Sequence, residues 1–247
     1  MLDSTVFILF LNFMIYCMAD NYCRPDLCPS RINHIACQQN RNGSFGTNCP
    51  KNVTVVKLTQ DHKNLLIKAH NIVRQKWASG KAKIRRLACK MATIEWNKDL
   101  ENLALLNAKT CLMEHDYCHN TEKFRQSGQN LFAAGFWKSM PITTRELLEI
   151  AVQMWAGEER DIKASDLQKL PVTQPKVIGH LTVLINEKND AVGCGLVSYT
   201  VGEDRKFNLA CNYAYSNVLG QSVYSECPTA GSKCRKGLNS QYPALCA

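Results

Sequence analysis

Thirteen cysteines in 247 residues constrain this chain more than any other feature. In an oxidising compartment thiols close into bridges, and each bridge ties distant points of the chain together. An odd count would leave one thiol over. Cys17, however, lies in a segment unlike the rest. Val6 to Tyr16 is an apolar run broken only by Asn12, too short to span a bilayer comfortably and too early for a core helix. Cys17-Met18-Ala19 then sets a small residue ahead of the polar Asp20-Asn21. Residues 1–19 therefore read as a secretory signal peptide. The leading residues carry Asp3 and no Lys or Arg, so an uncleaved anchor stands as the alternative. Without Cys17 the set is even: Cys23, Cys28, Cys37, Cys49, Cys89, Cys111, Cys118, Cys194, Cys211, Cys227, Cys234 and Cys246. No two of these have the tight spacing of a zinc knuckle, so the expectation is a disulfide framework in a secreted, extracellular protein. The sequons at Asn42 and Asn52 fit the same compartment as glycosylation sites.

With 45% hydrophobic and 21% charged residues the chain can build an ordinary globular core. The formal net charge of +9 would suit nucleic acid, heparin-like polymers or anionic membranes. Lys and Arg are mostly scattered, however. The one dense run, Lys81, Lys83, Arg85, Arg86 and Lys90, reads as a solvated basic loop, with a polyanion contact as the alternative. Outside the cell nucleic acid is not an expected partner. After the leader no apolar stretch is long enough to span a membrane.

Residues 20–57 are rich in Cys, Asn, Gly and Pro and form a loop-rich arm. Leu65, Leu66, Ala69, Ile72, Val73 and Trp77 then recur at helical spacing, and Gly80 is a plausible stop. A second helix is expected from Ile94-Glu95-Trp96 through Leu100, Leu103, Ala104 and Ala108 to Cys111. Ser127 to Phe132 reads as a turn into an extended piece. Thr143 and Thr144 can cap a third helix carrying Leu147, Leu148, Ala151, Met154 and Trp155. His180 to Ile185, Ala191 to Val201 and Lys206 to Tyr215 are predicted strands of a meander. Helices first and strands later argue for an α+β layered domain. A short tail, 221–247, carries the last three cysteines.

Four segments in this order carry a resemblance: His70-Asn71-Ile72-Val73-Arg74, Gly128-Gln129-Asn130-Leu131, Gly179-His180-Leu181-Thr182 and Leu209-Ala210-Cys211-Asn212-Tyr213. With Trp155 and Glu158 between the second and third, the chain resembles the CAP superfamily of cysteine-rich secretory, antigen five and pathogenesis-related proteins. The likeness covers 58–220, and the cysteine-rich arm and short tail resemble the insect antigen five branch. It implies a three-layer α-β-α sandwich. It implies bridges Cys23–Cys37, Cys28–Cys118, Cys49–Cys111, Cys194–Cys211 and Cys234–Cys246, leaving Cys89 and Cys227 as a possible sixth pair. It also implies a central cleft at His115, Gln129, Glu158 and His180, where some family members bind zinc or magnesium.

Gln129 stands where the family usually has Glu. An amide lacks the negative charge and takes no proton at neutral pH, so at most one acid, Glu158, remains. His115 and His180 could still ligate zinc weakly, without catalysis; no cofactor is required. His70 and Asn71 read as structural, and His62 and His119 have no such context. There is no Gly-x-Ser-x-Gly elbow and no thiol outside the bridges to serve as a nucleophile. From Ala156 to His180 there is no Phe, Tyr or Trp, the aromatic loop that sterol-binding relatives use. The channel-directed tail of vertebrate members and an Arg-Gly-Asp loop are also absent. The leading expectation is a monomeric, non-enzymatic protein that binds an extracellular partner in saliva, venom, haemolymph or reproductive fluid. The alternatives are a carrier of a small apolar ligand such as a lipid or sterol, and a weak metal-dependent hydrolase.

Overall fold

The computed structural model describes residues 21–38, 44–173 and 176–247, so the signal segment and the Asn42 sequon lie outside it. One sheet organises the molecule. Its strands are β1 (Thr54–Val55), β2 (Glu95–Trp96), β3 (Gly128–Trp137), β4 (Ala191–Val201) and β5 (Asp204–Tyr213). The antiparallel order is β1-β4-β5-β3, and β2 pairs parallel with the start of β4. The helices are α1 (Ile35–Gln38), α2 (Gln60–Ala78), α3 (Lys98–Ala108), α4 (Thr144–Gly157), α5 (Ala164–Gln168) and α6 (Gly179–Leu184).

Alternation along the strands builds the layers. On one face Cys194, Leu196, Phe207, Leu209, Cys211 and Tyr213 join the main core with Leu66 and Trp77 of α2, and Leu147, Leu148 and Trp155 of α4. On the other, Ala210 packs with Leu131 and with Ala104 of α3. Contact there is very close. A Cβ on Gly193 would lie 2.1 Å from Glu101 N, and one on Gly195 2.3 Å from Leu105 Cα. The result is an α-β-α arrangement.

Helix ends follow local chemistry. Thr143 accepts from Glu146 N while Glu146 accepts from Thr143 N, a capping box that starts α4. The same exchange between Thr59 and His62 starts α2, which gives His62 a capping role. The buried face of α2 is partly polar. Asn71 mimics a backbone unit, donating to Ile94 O at 3.0 Å and accepting from Ile94 N at 2.8 Å. Arg74 is fully buried and donates to the carbonyls of Ala92, Leu184, Asn186 and Asn189. Burial lowers its pKa, but acceptors on every side are matched only by the charged guanidinium. This one side chain fixes the exit of α6 and the approach to β4.

Two predicted elements differ. His180 to Ile185 is not a strand but helix α6 with the turn that ends it. The second helix does not begin at Ile94. Glu95–Trp96 is strand β2, and Asn97 caps α3 by accepting from Leu100 N. Helix α3 ends at Ala108, before Cys111, which takes φ 58°.

The bridges are Cys23–Cys37, Cys28–Cys118, Cys49–Cys111, Cys89–Cys227, Cys194–Cys211 and Cys234–Cys246. Cys194–Cys211 joins residues directly opposite on β4 and β5. Asn52 is exposed and pairs with the Thr200 backbone at an edge of β4, through Nδ2 to O at 3.1 Å and N to Oδ1 at 3.2 Å.

Candidate functional site

The start of β3 aims neighbouring side chains at opposite faces of the sheet, and a cleft of about 550 Å³ opens beside it. Gln129 lies opposite Asn212, and Asn130 opposite Cys211. Gln129 works on the α3 side. It donates to Asp116 Oδ2 at 2.7 Å and to Asn212 Oδ1 at 2.9 Å, and its Oε1 accepts from His115 Nδ1 at 2.9 Å. Asn130 works on the α6 side, donating to His180 O at 3.0 Å and to the Tyr213 hydroxyl at 3.2 Å.

His180 sits in the first turn of α6, its ring stacked on Trp155 at 6.4 Å and 9°. Its Nδ1 is 2.6 Å from Glu158 Oε1, while Glu158 Oε2 accepts from Leu181 N at 2.9 Å. Glu158, at the end of α4, thus holds both the imidazole and the start of α6. It stands behind His180, whereas His115, Gln129 and His180 line the cleft. In both cleft histidines Nδ1 faces an acceptor. That nitrogen must donate, which leaves Nε2 of each ring without a partner inside the wall among the described residues.

Two residues missed in sequence complete the wall. Asp116 and His119 meet at 2.6 Å with both side chains under a tenth exposed. The other His119 nitrogen is 3.1 Å from Gly128 O. Asp116 also accepts from Asn107 at 3.1 Å. Burial pushes the Asp116 carboxyl up, but the bonds from His119, Gln129 and Asn107 outweigh it and hold the group below its ordinary value. The site therefore keeps two acids, not one. The signal available in sequence was the i, i+3 acid–histidine spacing around a bridged cysteine, Cys118.

Behind the cleft His70 donates from Nδ1 to Leu66 O at 2.7 Å and accepts at Nε2 from Tyr213 at 2.8 Å. Burial lowers its pKa to about 4, so the ring is neutral. Burial also raises the Tyr213 hydroxyl well above its usual value.

A zinc site needs three or four protein ligands. Among the described residues no three of His, Cys, Asp and Glu converge to hold a metal. Both acids are committed inward, Asp116 to His119, Gln129 and Asn107, and Glu158 to His180 and Leu181. The donor set, two imidazoles, falls short of a zinc site. No helix of the described residues is long and apolar enough to cross a membrane.

Residues 67–213 match the family model described as the cysteine-rich secretory protein family, CAP. Venom allergen-1 of Aedes aegypti is 36% identical over 92% of this chain and 87% of its own length. Tabinhibitin 3 of Tabanus yao is 30% identical over the same shares, 92% and 87%. Among solved structures, NaASP2 with Zn2+ superposes with a TM-score of 0.64 at 22% identity, covering 81% of this chain and all of the other. At that identity the likeness carries the fold, not the zinc ligands.

Proposed function

The chain belongs to the cysteine-rich secretory protein (CAP) family, and from that premise we propose a secreted, non-enzymatic protein whose central cleft binds an extracellular protein partner. One observation carries the reading: both acids are spent inside the wall, so the cleft offers recognition groups. These are the Nε2 atoms of His115 and His180, the 82% exposed Tyr117, and Lys176 at the rim. Walls that mix apolar surface with a few convergent donors and acceptors suit a peptide segment, which offers both kinds of group. The relatives named venom allergen and tabinhibitin support a binding role.

The test is capture. Cross-linking in the source's extracellular fluid should yield one adduct, weakened by Tyr117→Ala and His115→Ala. Equal capture by both variants would remove the cleft from the reading. The carrier alternative rests on a shallow groove of about 360 Å³ by Met140, Pro141, Ile142 and Ile150. Native mass spectrometry after organic extraction decides it, since a co-purifying lipid favours the carrier. Turnover of peptide or ester libraries, with or without zinc, would establish the hydrolase instead. Zinc calorimetry should show no saturable heat; a site lost on replacing His115 and His180 by Ala would show that the cleft gathers further ligands.

The same reading has the leader removed after Ala19, a monomer in solution, and glycans at Asn42 and Asn52. Intact mass before and after enzymatic deglycosylation checks cleavage and glycans together. At Asn52 one amide hydrogen must keep its bond to Thr200 O while the other position carries the sugar.

A further inference from the structure

The tail assembles a basic surface that the sequence leaves in pieces. Cys89–Cys227 pins it to the loop that ends the basic run. Cys227 N, Gly231 N and Lys233 N then bond to Leu87 O, Ala88 O and Cys89 O at 3.0, 2.9 and 3.0 Å. On the far side Cys246 closes on Cys234 and bonds to Met91 O at 2.8 Å. Between these lies a groove of about 490 Å³ bearing Lys90, Lys123, Lys233, Arg235 and Lys236 against Glu95 and Asp190. Lys90 is 3.5 Å from Glu187 and partly neutralised. Lys233, Arg235 and Lys236 are exposed, and none forms an ion pair among the described residues.

Like charges held close by covalent staples repel one another, and a polyanion laid between them relieves this and releases its counterions. The shape and composition narrow its class. The wall has one large aromatic, Trp96, half-buried with Nε1 bonded to Glu101 at 2.7 Å. That gives a membrane no apolar anchor and unstacked bases no platform. A disulfide-built protein works where sulfated polysaccharides are found. We propose that this groove binds a linear sulfated polysaccharide of the heparan type. It shares no residue with the cleft, so either reading can fail alone.

The probe is a fluorescent heparin hexasaccharide at about 0.15 M salt, with circular dichroism to confirm that each variant folds. Lys233→Ala, Arg235→Ala and Lys236→Ala together should weaken binding about tenfold or more. The slope of log Kd against log salt should fall by about 2 to 3. Lys57→Ala, Lys68→Ala and Lys169→Ala remove the same charge from exposed sites outside the groove and should leave Kd within about twofold. No binding by the unaltered protein would overturn the proposal. So would equal loss in both triple variants, or tighter groove-dependent binding to phosphatidylserine vesicles than to heparin.

Discussion

The Gln129 amide donates to Asp116 and Asn212 while accepting from His115. A glutamate at this position could keep only the bonds accepted at Oε1, from His115 at 2.9 Å and from Asn107 at 3.5 Å. Its second oxygen would face the Asp116 carboxylate across about 2.7 Å and leave Asn212 Oδ1 without its donor. We expect Gln129→Glu to lower stability by about 2–3 kcal/mol at neutral pH, with part regained towards pH 5 as the two carboxyls share a proton. Thermal unfolding across pH checks this; a variant as stable as the parent at pH 7 would contradict it. His70 gives a second pH signature. Its folded pKa, about 4, lies below the ordinary value of 6.5, so the unfolded chain takes up the proton first as pH falls. Its contribution is whole above pH 6.5 and is lost between 6.5 and 4, about 3 kcal/mol for this group. Urea melts should show the parent losing stability more steeply than His70→Gln between pH 6.5 and 4; equal slopes in that window would contradict it. Gln129 and His180 could be placed through their motifs, and His115 only through the family resemblance. Asp116 and His119 could not, because they lie in an irregular segment where no periodicity reveals which way a side chain turns.

The approach of α3 to the sheet rests on Gly193 and Gly195, where an added Cβ would meet helix backbone rather than a yielding side chain. Gly195→Ala should therefore cost about 3 kcal/mol or spread α3 from β4. Gly157→Ala, at the helical end of α4 with nothing within 4 Å, should be neutral or stabilise by about 0.5–1 kcal/mol. Paired thermal melts test the contrast, and similar shifts would mean α3 does not sit so close. The long amphipathic helices were legible because each has one buried stripe. Helix α6 was not, since Leu181, Thr182, Val183 and Leu184 are all buried. A short run buried on every side has no polar phase, and its branched residues read as strand. Ile94 and Trp96 carry the apolar spacing upstream of α3, but the helix starts at the Asn97 cap.

At the scale of the molecule the bridges divide their work. Cys28–Cys118 and Cys49–Cys111 tie the N-terminal arm to the loop that carries His115 and Asp116, while Cys234–Cys246 closes the tail upon itself. That loop has no regular structure, so the arm's bridges, with the Asp116 bonds, hold one wall of the cleft in place. Chain closure over a separation of 62 makes Cys49–Cys111 worth about 4 kcal/mol in isolation, against about 3 for the separation of 12 at Cys234–Cys246. Stability alone therefore hardly separates the two, and local motion does. Replacing Cys49 and Cys111 by Ser should lower Tm by roughly 4–16 °C. It should also speed amide exchange across 110–120, as the His115–Gln129 contact opens. Replacing Cys234 and Cys246 should give a comparable fall in Tm and leave exchange in 110–120 unchanged. Unchanged exchange there in the first variant would mean that the Asp116 network alone shapes the cleft, and that the arm serves only the stability of the whole.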